Sequence, residues 1–265
     1  MTPRGTQMGR RSDVLALSYH GVSDTWPSPL AISPARLRWQ VERLLRKGWR
    51  ATTFSEAVTA PPHPKTLAVT FDDAYSSVVR LGLPILSELG VPATVFVPTG
   101  FVGGGRPFVW PETEHWVRTP HAPEVEGMSW QDLAVLRDAG WEVGAHSVSH
   151  ARLTTLDDEA LAEELRESRR AIEERLGACR AVAYPYADVD ERVAAAAAAT
   201  GYEAGAAVLP TRHRGDRLRF PRVPMTPTET NLGHRLHMSR AVRRLQETGP
   251  WPAVQRAKRA LMRER

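Results

Sequence analysis

Cysteine is almost absent from this sequence, and so is any long apolar segment. The one cysteine among 265 residues, Cys179, has no partner for an internal disulfide, which excludes a disulfide-stapled scaffold and a cysteine-rich zinc module. The longest purely apolar run, Val193 to Ala199, is far shorter than the roughly 20 residues that cross a bilayer. A transmembrane protein is therefore not expected.

Lysine is also scarce, so the positive charge is almost entirely arginine. Lysine and arginine together number 35 against 30 acidic residues, for a formal net charge of +5. A basic balance can indicate nucleic acid or acidic lipid as a partner. Because the arginines are scattered among the acids, with no long basic block outside the two ends, we favour a solvated surface and expect no nucleic-acid role.

The N-terminal region lacks the apolar stretch of an export signal. Residues 1–11 are polar and contain arginine, and the run that follows, Asp13 to Tyr19, is short and begins with a charge. We interpret that run as a first strand, and the expected location is the cytoplasm.

What the sequence does contain is an alternation of short apolar runs with helical patterns. The strand-like runs are Val14–Tyr19, Thr66–Phe71, Ala93–Val97, Trp141–Ala145, Ala181–Tyr184 and Glu203–Val208. The helical patterns run from Ser33-Pro34 to Gly48, over Ser76–Leu89, from Ser129 to Ala139, over Asp157–Leu176 and over Asp190–Thr200. Roughly seven strands with helices between them favour one α/β barrel over two domains.

The alternation of strands and helices is interrupted at two places, and these set the expected domain boundaries. Residues 101–127 hold a run of three glycines, four prolines and two tryptophans, and they predict a long loop insertion that is functional or mobile. The chain from Asn231 is basic and helical in pattern. We therefore predict a flexible N-terminus over 1–12, a barrel over 13–228 and a basic helical tail over 229–265.

Two adjacent carboxylates, Asp72 and Asp73, follow a buried strand, and two histidines, His146 and His150, follow another. Adjacent buried carboxylates repel unless a cation lies between them, although either one could simply cap the next helix. Two imidazoles four residues apart can face one point, and with one carboxylate they form a three-ligand metal set that leaves a position for water. Both pairs belong to the barrel rim where active sites are built.

Two more strand ends contribute to the same rim. Tyr184-Pro185-Tyr186 ends one strand, where proline could be a plain strand terminator, and His20 follows the first strand, where it could be a core histidine. The convergence of four strand ends on one face favours a functional site.

In order and spacing, Thr70-Phe71-Asp72-Asp73, His146-Ser-Val-Ser-His150 and Tyr184-Pro185-Tyr186 resemble the first three motifs of the NodB-homology polysaccharide deacetylases, carbohydrate esterase family 4. The resemblance runs from about Val14 to about Pro224 and implies a distorted (β/α)7 barrel. It implies that Asp73, His146 and His150 bind a divalent metal, usually zinc, with cobalt, nickel or manganese as options. Asp72 would be the general base, and the Tyr186 backbone N–H would help hold the oxyanion.

Three departures from the family pattern stand out. The late Leu-x-His motif that carries the usual general acid is not found, so we assign that role to His20, which matches the Tyr-His of the subgroup resembling poly-N-acetylglucosamine deacetylases. Ala183 stands where typical members have an arginine that pairs with the catalytic aspartate, and Arg222 could take over that pairing. Ala187 stands where glycine is common.

The resemblance implies a metal-dependent hydrolase that removes N-acetyl groups from a sugar or glycan, which we expect to be lipid-linked or nucleotide-linked. The candidate substrate contacts are Tyr184, Pro185, Trp110 and Trp130. Tryptophans near the insertion, including Trp116, can stack on sugar rings, although each could instead belong to the core. An O-acetyl esterase and an inactive glycan-binding protein of the same fold are the alternatives. The basic tail could contact a membrane surface, although an ordinary solvated helix is favoured.

Overall fold

The computed structural model describes residues 13–60, 63–103, 109–111, 113–208, 216–227 and 238–239. The predicted N-terminal segment and nearly all of the predicted basic tail lie outside these residues, so the division of the chain into 1–12, 13–228 and 229–265 stays a prediction. Within the described residues, no helix is long and apolar enough to span a membrane.

Parallel strands alternate with helices along the chain. The strands are β1 (Val14–Tyr19), β2 (Gly21–Val22), β3 (Ala31–Ile32), β4 (Arg50–Thr52), β5 (Thr66–Phe71), β6 (Ala93–Val97), β7 (Glu142–Ala145), β8 (Ala181–Ala183), β9 (Ala204–Val208) and β10 (Phe220–Pro224). The α-helices are α1 (Pro34–Arg46), α2 (Phe54–Thr59), α3 (Leu83–Glu88), α4 (Trp130–Asp138), α5 (Asp158–Leu176) and α6 (Glu191–Thr200).

Seven of these strands close into a barrel. The order β5-β6-β7-β8-β9-β10-β1 returns to β5 through a parallel pairing of β1 with β5 along the whole of both strands. Strand β4 lies outside the ring, because it pairs with the first half of β5 while β6 pairs with the second half. The predicted (β/α)7 barrel is confirmed.

The local sequence explains where these elements begin and end. Every residue of β5 is buried, as expected for a barrel strand covered on both faces. The Ser33 hydroxyl caps α1, and Ser129 forms a capping box with Asp132 at the start of α4. Gly177 adopts a left-handed conformation after the last turn of α5, which ends the helix there.

The seventh barrel strand, β10, is absent from the sequence prediction. Pro221 and Pro224 give its five residues the pattern of a loop, because proline cannot donate a ladder hydrogen bond. Strand β4 and helix α2 were also missed, since both are short. The helix predicted over Ser76–Leu89 contains a π-helical segment, Val78–Gly82, before α3.

The predicted insertion is a loop with two short 3₁₀ helices, Glu114–Arg118 and Ala122–Val125. Trp110 and Val125 from this loop pack with Trp26 and Tyr75 in a separate hydrophobic cluster. The insertion is thereby anchored beside the carboxyl ends of the strands, where the candidate site lies.

Candidate metal centre and active site

The carboxyl ends of the barrel strands surround a cavity of about 240 Å³. It brings together most of the residues that the sequence singles out. The lining residues are Ser18, His20, Leu30, Asp72, Asp73, Trp110, His146, His150, Tyr184, Tyr186, Ala187, Val208 and Pro224.

Asp73, His146 and His150 form a compact, buried set of ligand atoms. The Asp73 Oδ1 atom lies 3.4 Å from the Nε2 atom of each imidazole. Four-coordinate zinc with bonds of about 2.0–2.1 Å places neighbouring ligand atoms roughly 3.3–3.4 Å apart. The same Oδ1 atom is buried and accepts no hydrogen bond among the described residues, which is the condition of a carboxylate oxygen that faces a cation. These residues fit a divalent metal.

The protonation equilibria of the three groups differ. Burial alone would raise the pKa of Asp73, but the two histidines hold it well below its usual range. Burial would lower the pKa of His146, but Asp73 and Asp72 raise it, whereas for His150 burial prevails and the pKa is lowered. A neutral imidazole is the form that binds metal, so His150 is already in its ligand form at neutral pH.

The two imidazoles are oriented by different means. The Nδ1 atom of His146 lies 2.8 Å from the Ala183 carbonyl oxygen, so an Nδ1–H donates there and Nε2 faces the cavity. The His150 ring stacks on Trp110, with centroids 4.2 Å apart, and contacts Tyr186 on another side at 4.8 Å. His146 is thus held by a hydrogen bond and His150 by aromatic rings.

Left-handed backbone conformations of non-glycine residues concentrate at this site. Asp73 and Ala74 after β5, Ser147 and His150 after β7, and Tyr186 and Ala187 after β8 all have φ between 53° and 70°. Such conformations cost about 1–3 kcal/mol each and persist only where the surroundings enforce them. They turn the chain sharply where each strand ends, which points the functional groups into the cavity. The departure from glycine at Ala187 falls on one of these positions.

Asp72 is paired with the buried Arg222 from β10. The Nη1 atom of Arg222 donates to Oδ1 at 2.6 Å and its Nη2 atom donates to Oδ2 at 2.9 Å, while only 1% of Arg222 is exposed. Burial would raise the pKa of Asp72, but the guanidinium lowers it below its ordinary value. Asp72 is therefore ionised at neutral pH. Arg222 reaches Asp72 from β10, whereas the family's usual arginine position, Ala183, lies on β8.

His20 lies on the cavity wall at the end of β1. It is near enough to both carboxylates for its charge to lower the pKa of Asp72 and of Asp73. A functional neighbour that the sequence interpretation missed is Ser18, whose hydroxyl donates to Asp72 Oδ2 at 3.3 Å. The signal was the period of two along β1, which places Ser18 and His20 on the same side of the strand.

The predicted substrate contacts are only partly assembled here. Trp110 lines the cavity, and so does Tyr184, but the Tyr184 hydroxyl donates to the Leu218 carbonyl at 2.7 Å. Pro185 is buried and is not among the described residues that line the cavity.

Trp130 does not belong with this group. Its ring lies under the guanidinium of Arg175, 4.6 Å away, in the last turn of α5. Trp130 is partly buried against the main hydrophobic core and is not among the described residues that line the cavity, so its role as a sugar contact stays a prediction. Trp116 packs edge-on against Trp26, at 6.2 Å.

Known polysaccharide deacetylases are similar to this chain in sequence and in fold. The model of the family "Polysaccharide deacetylase" matches residues 59–205, more than half of the chain. "Putative polysaccharide deacetylase YxkH" of Bacillus subtilis (strain 168) is 22% identical over 202 residues, 73% of this chain and 64% of that protein. The chain therefore spans less than two thirds of the length of this curated relative.

Two solved structures share the fold. The deacetylase PplD of Streptococcus pyogenes, in complex with acetate, has a TM-score of 0.70 and 19% identity, and the match covers 85% of this chain and 98% of PplD. IcaB of Ammonifex degensii has a TM-score of 0.65 and 24% identity, with 87% and 99% covered. With the family model matching from β5 to the start of β9, this chain belongs to the polysaccharide deacetylase family.

Proposed function

We propose that this protein is a metal-dependent hydrolase that removes the N-acetyl group from an N-acetylated sugar or glycan. The observation that carries the proposal is one cavity that holds a buried ligand set, Asp73 with His146 and His150, next to an ionised Asp72. Membership of the polysaccharide deacetylase family supports an acetylated glycan as the substrate. Zinc is the proposed metal, because two imidazoles and one carboxylate are a usual zinc donor set.

Amide hydrolysis needs an activated water, a site for the negative charge and a proton for the leaving nitrogen. A divalent metal held by Asp73, His146 and His150 would lower the pKa of a bound water towards about 7 and polarise the acetyl carbonyl. Asp72 accepts the proton from the attacking water, and Arg222 keeps that carboxylate ionised and oriented.

The remaining steps belong to the cavity wall. The Tyr186 backbone N–H, set by a left-handed φ of 60°, is the proposed donor to the oxyanion, a contribution of about 3–4 kcal/mol for a well-placed group. His20, as the imidazolium, donates a proton to the departing amine. One of the departures behind the inactive-protein alternative, Ala183, is offset by Arg222, which supplies a guanidinium to Asp72 from another strand.

Product analysis tests this function and separates it from O-acetyl ester hydrolysis. We expect the zinc-loaded protein to release acetate from N-acetylglucosamine oligomers with one new primary amine per acetate. Asp72→Asn is expected to bind metal and to lose nearly all turnover, whereas His146→Ala is expected to lose both. Acetate release from O-acetylated glycan alone, with no amine formed, would replace the proposal by the esterase.

The cytoplasmic location, the lipid- or nucleotide-linked substrate and the membrane contact stay predictions from the sequence. They are tested by cell fractionation and by comparing turnover of a nucleotide-linked, a lipid-linked and a free N-acetylated sugar. Equal turnover of all three would argue against a linked substrate.

A further inference from the structure

Glu164, in the second turn of α5, binds the loop between the two imidazole ligands. Its Oε2 atom accepts hydrogen bonds from the backbone N–H groups of Val148, at 2.7 Å, and Ser149, at 3.0 Å. Its Oε1 atom accepts the Ser149 hydroxyl at 2.6 Å. One carboxylate thus takes three hydrogen bonds from two consecutive residues.

This loop needs such a partner because its backbone is strained. Ser147 and His150, at its two ends, have φ of 62° and 59°. The carbonyls of Ser147 and Val148 already accept hydrogen bonds, from the N–H groups of Thr99 and Gly100. The amides of Val148 and Ser149 point the other way, towards α5, where Glu164 supplies the acceptor. Hydrogen bonds to an ionised acceptor are about twice as strong as neutral ones.

The ligand at the far end of the loop depends most on this arrangement. The Nδ1 atom of His146 is fixed by the Ala183 carbonyl, whereas the Nδ1 atom of His150 is buried with no hydrogen-bond partner among the described residues. The direction of the His150 ring is therefore set by the neighbouring rings of Trp110 and Tyr186 and by the backbone of the loop that ends at His150.

We propose that Glu164 is a positioning residue that holds the loop 147–149 so that His146 and His150 both direct Nε2 at Asp73. The proposal rests on the metal site of the proposed function and adds a residue on a helix outside the barrel ring to it. Glu164 touches neither ligand, so its effect is on the free energy of metal binding and on ligand geometry.

The test is Co²⁺ affinity, measured by competition with a chelator, together with the visible absorption of the Co²⁺-loaded protein. Glu164→Ala is expected to weaken Co²⁺ binding by up to about tenfold and to change the absorption band, since groups hydrogen-bonded directly to ligands contribute about 10–100-fold and Glu164 acts one step further out. The Co²⁺ affinity of Glu164→Gln is expected to lie between those of wild type and Glu164→Ala, since the amide oxygen still accepts both N–H bonds. Glu163→Ala, an exposed neighbour on the same helix, is the matched control and is expected to match wild type.

Ser149→Ala removes only the hydroxyl bond and keeps the test available if Glu164→Ala does not fold. Ser149→Ala is expected to weaken Co²⁺ binding by a smaller factor than Glu164→Ala does. The double variant with Glu164→Gln is expected to lose no more affinity than the two single variants together. Unchanged Co²⁺ affinity and absorption in the folded Glu164 and Ser149 variants would overturn this inference and leave the proposed function standing. A wild-type protein that binds no Co²⁺ would overturn both.

Discussion

At the scale of single residues, the proposed chemistry requires that the buried Asp72 stays charged. An isolated buried carboxylate would take up a proton, since burial disfavours the ionised form. Arg222 prevents this with two hydrogen bonds, and its own Nε atom donates to the Ala207 carbonyl, at 3.3 Å. If Asp72 is the base, as proposed, its lowered pKa keeps it ionised at neutral pH but makes it a weaker proton acceptor than a group with a pKa near 7.

Arg222→Met is expected to raise the pKa of Asp72, because burial then acts without the opposing guanidinium. The base must be ionised, so activity that wild type loses only at acidic pH would be lost at higher pH in the variant. The free energy of unfolding at neutral pH should fall by about 3–5 kcal/mol, because removing one partner of a buried ion pair leaves the other charge uncompensated. The pH–rate profile and denaturant unfolding measure these effects.

Arg217→Met, an exposed arginine close to β10, is the matched control and is expected to change neither quantity. If Arg222→Met loses activity at the same acidic pH as wild type, the ion pair with Arg222 does not control the pKa of the base.

The proposed acid makes a second prediction at this scale. His20→Ala is expected to retain metal and to lose amide hydrolysis by about 10²–10⁴-fold, because the amine needs a proton in order to leave. Hydrolysis of an activated acetyl ester, whose leaving group needs no proton, should change much less. Parallel assays of both substrates decide the assignment, and an equal loss on the two would contradict it.

At the scale of the elements, sharp turns at the strand ends direct side chains into the cavity. Close backbone contacts between neighbouring strands hold these turns in place. Gly205 in β9 is one such contact, since a Cβ there would overlap the Leu218 carbonyl and the Tyr184 hydroxyl, which are hydrogen-bonded to each other. Tyr184 precedes the turn that carries Tyr186, and Leu218 precedes the strand that carries Arg222. The small residue therefore joins two parts of the site.

Gly205→Ala is expected to destabilise the protein by about 1–3 kcal/mol, since the Leu218 carbonyl belongs to the backbone and cannot rotate away. Activity should fall as well, through displacement of the Tyr186 turn. Thermal unfolding and kcat measure the two effects. Gly103→Ala, at a site where no atom of the described residues lies within 4 Å of the new Cβ, is the control, and an effect of equal size there would contradict the explanation.

At the scale of the whole molecule, the proposed metal would link separate elements of the barrel. Asp73 follows β5 while the two histidines follow β7, so a cation bound to all three ties non-adjacent parts of the ring. Binding to the native state alone stabilises by RT ln(1 + [L]/Kd), about 2.7 kcal/mol at a hundredfold excess over Kd.

Zn²⁺ is therefore expected to raise the melting temperature of the chelator-treated protein by several degrees, in proportion to the logarithm of its concentration. His150→Ala should show no such rise, and differential scanning calorimetry over a range of Zn²⁺ concentrations is the measurement. A rise of the same size in His150→Ala would place the metal elsewhere.

Much of this architecture was predictable from local patterns. Period and capping residues predicted six barrel strands and the main helices, and the motifs around Asp72, His146 and Tyr186, together with His20, placed four strand ends on one rim. These features depend on neighbours within a few residues, which is the range that sequence patterns report. The pairing of Arg222 with Asp72 was predicted as an option only.

Apolar periodicity and motif spacing are properties of the chain, and they were enough to predict the barrel and the groups at its rim. Three features became visible only in the folded molecule: β10 completes the ring despite Pro221 and Pro224, Arg222 pairs with Asp72 in place of an arginine at Ala183, and Trp130 packs under Arg175. Each of these outcomes depends on contacts between residues far apart in the chain. Such contacts follow from how the strands close, a global property that no local pattern encodes.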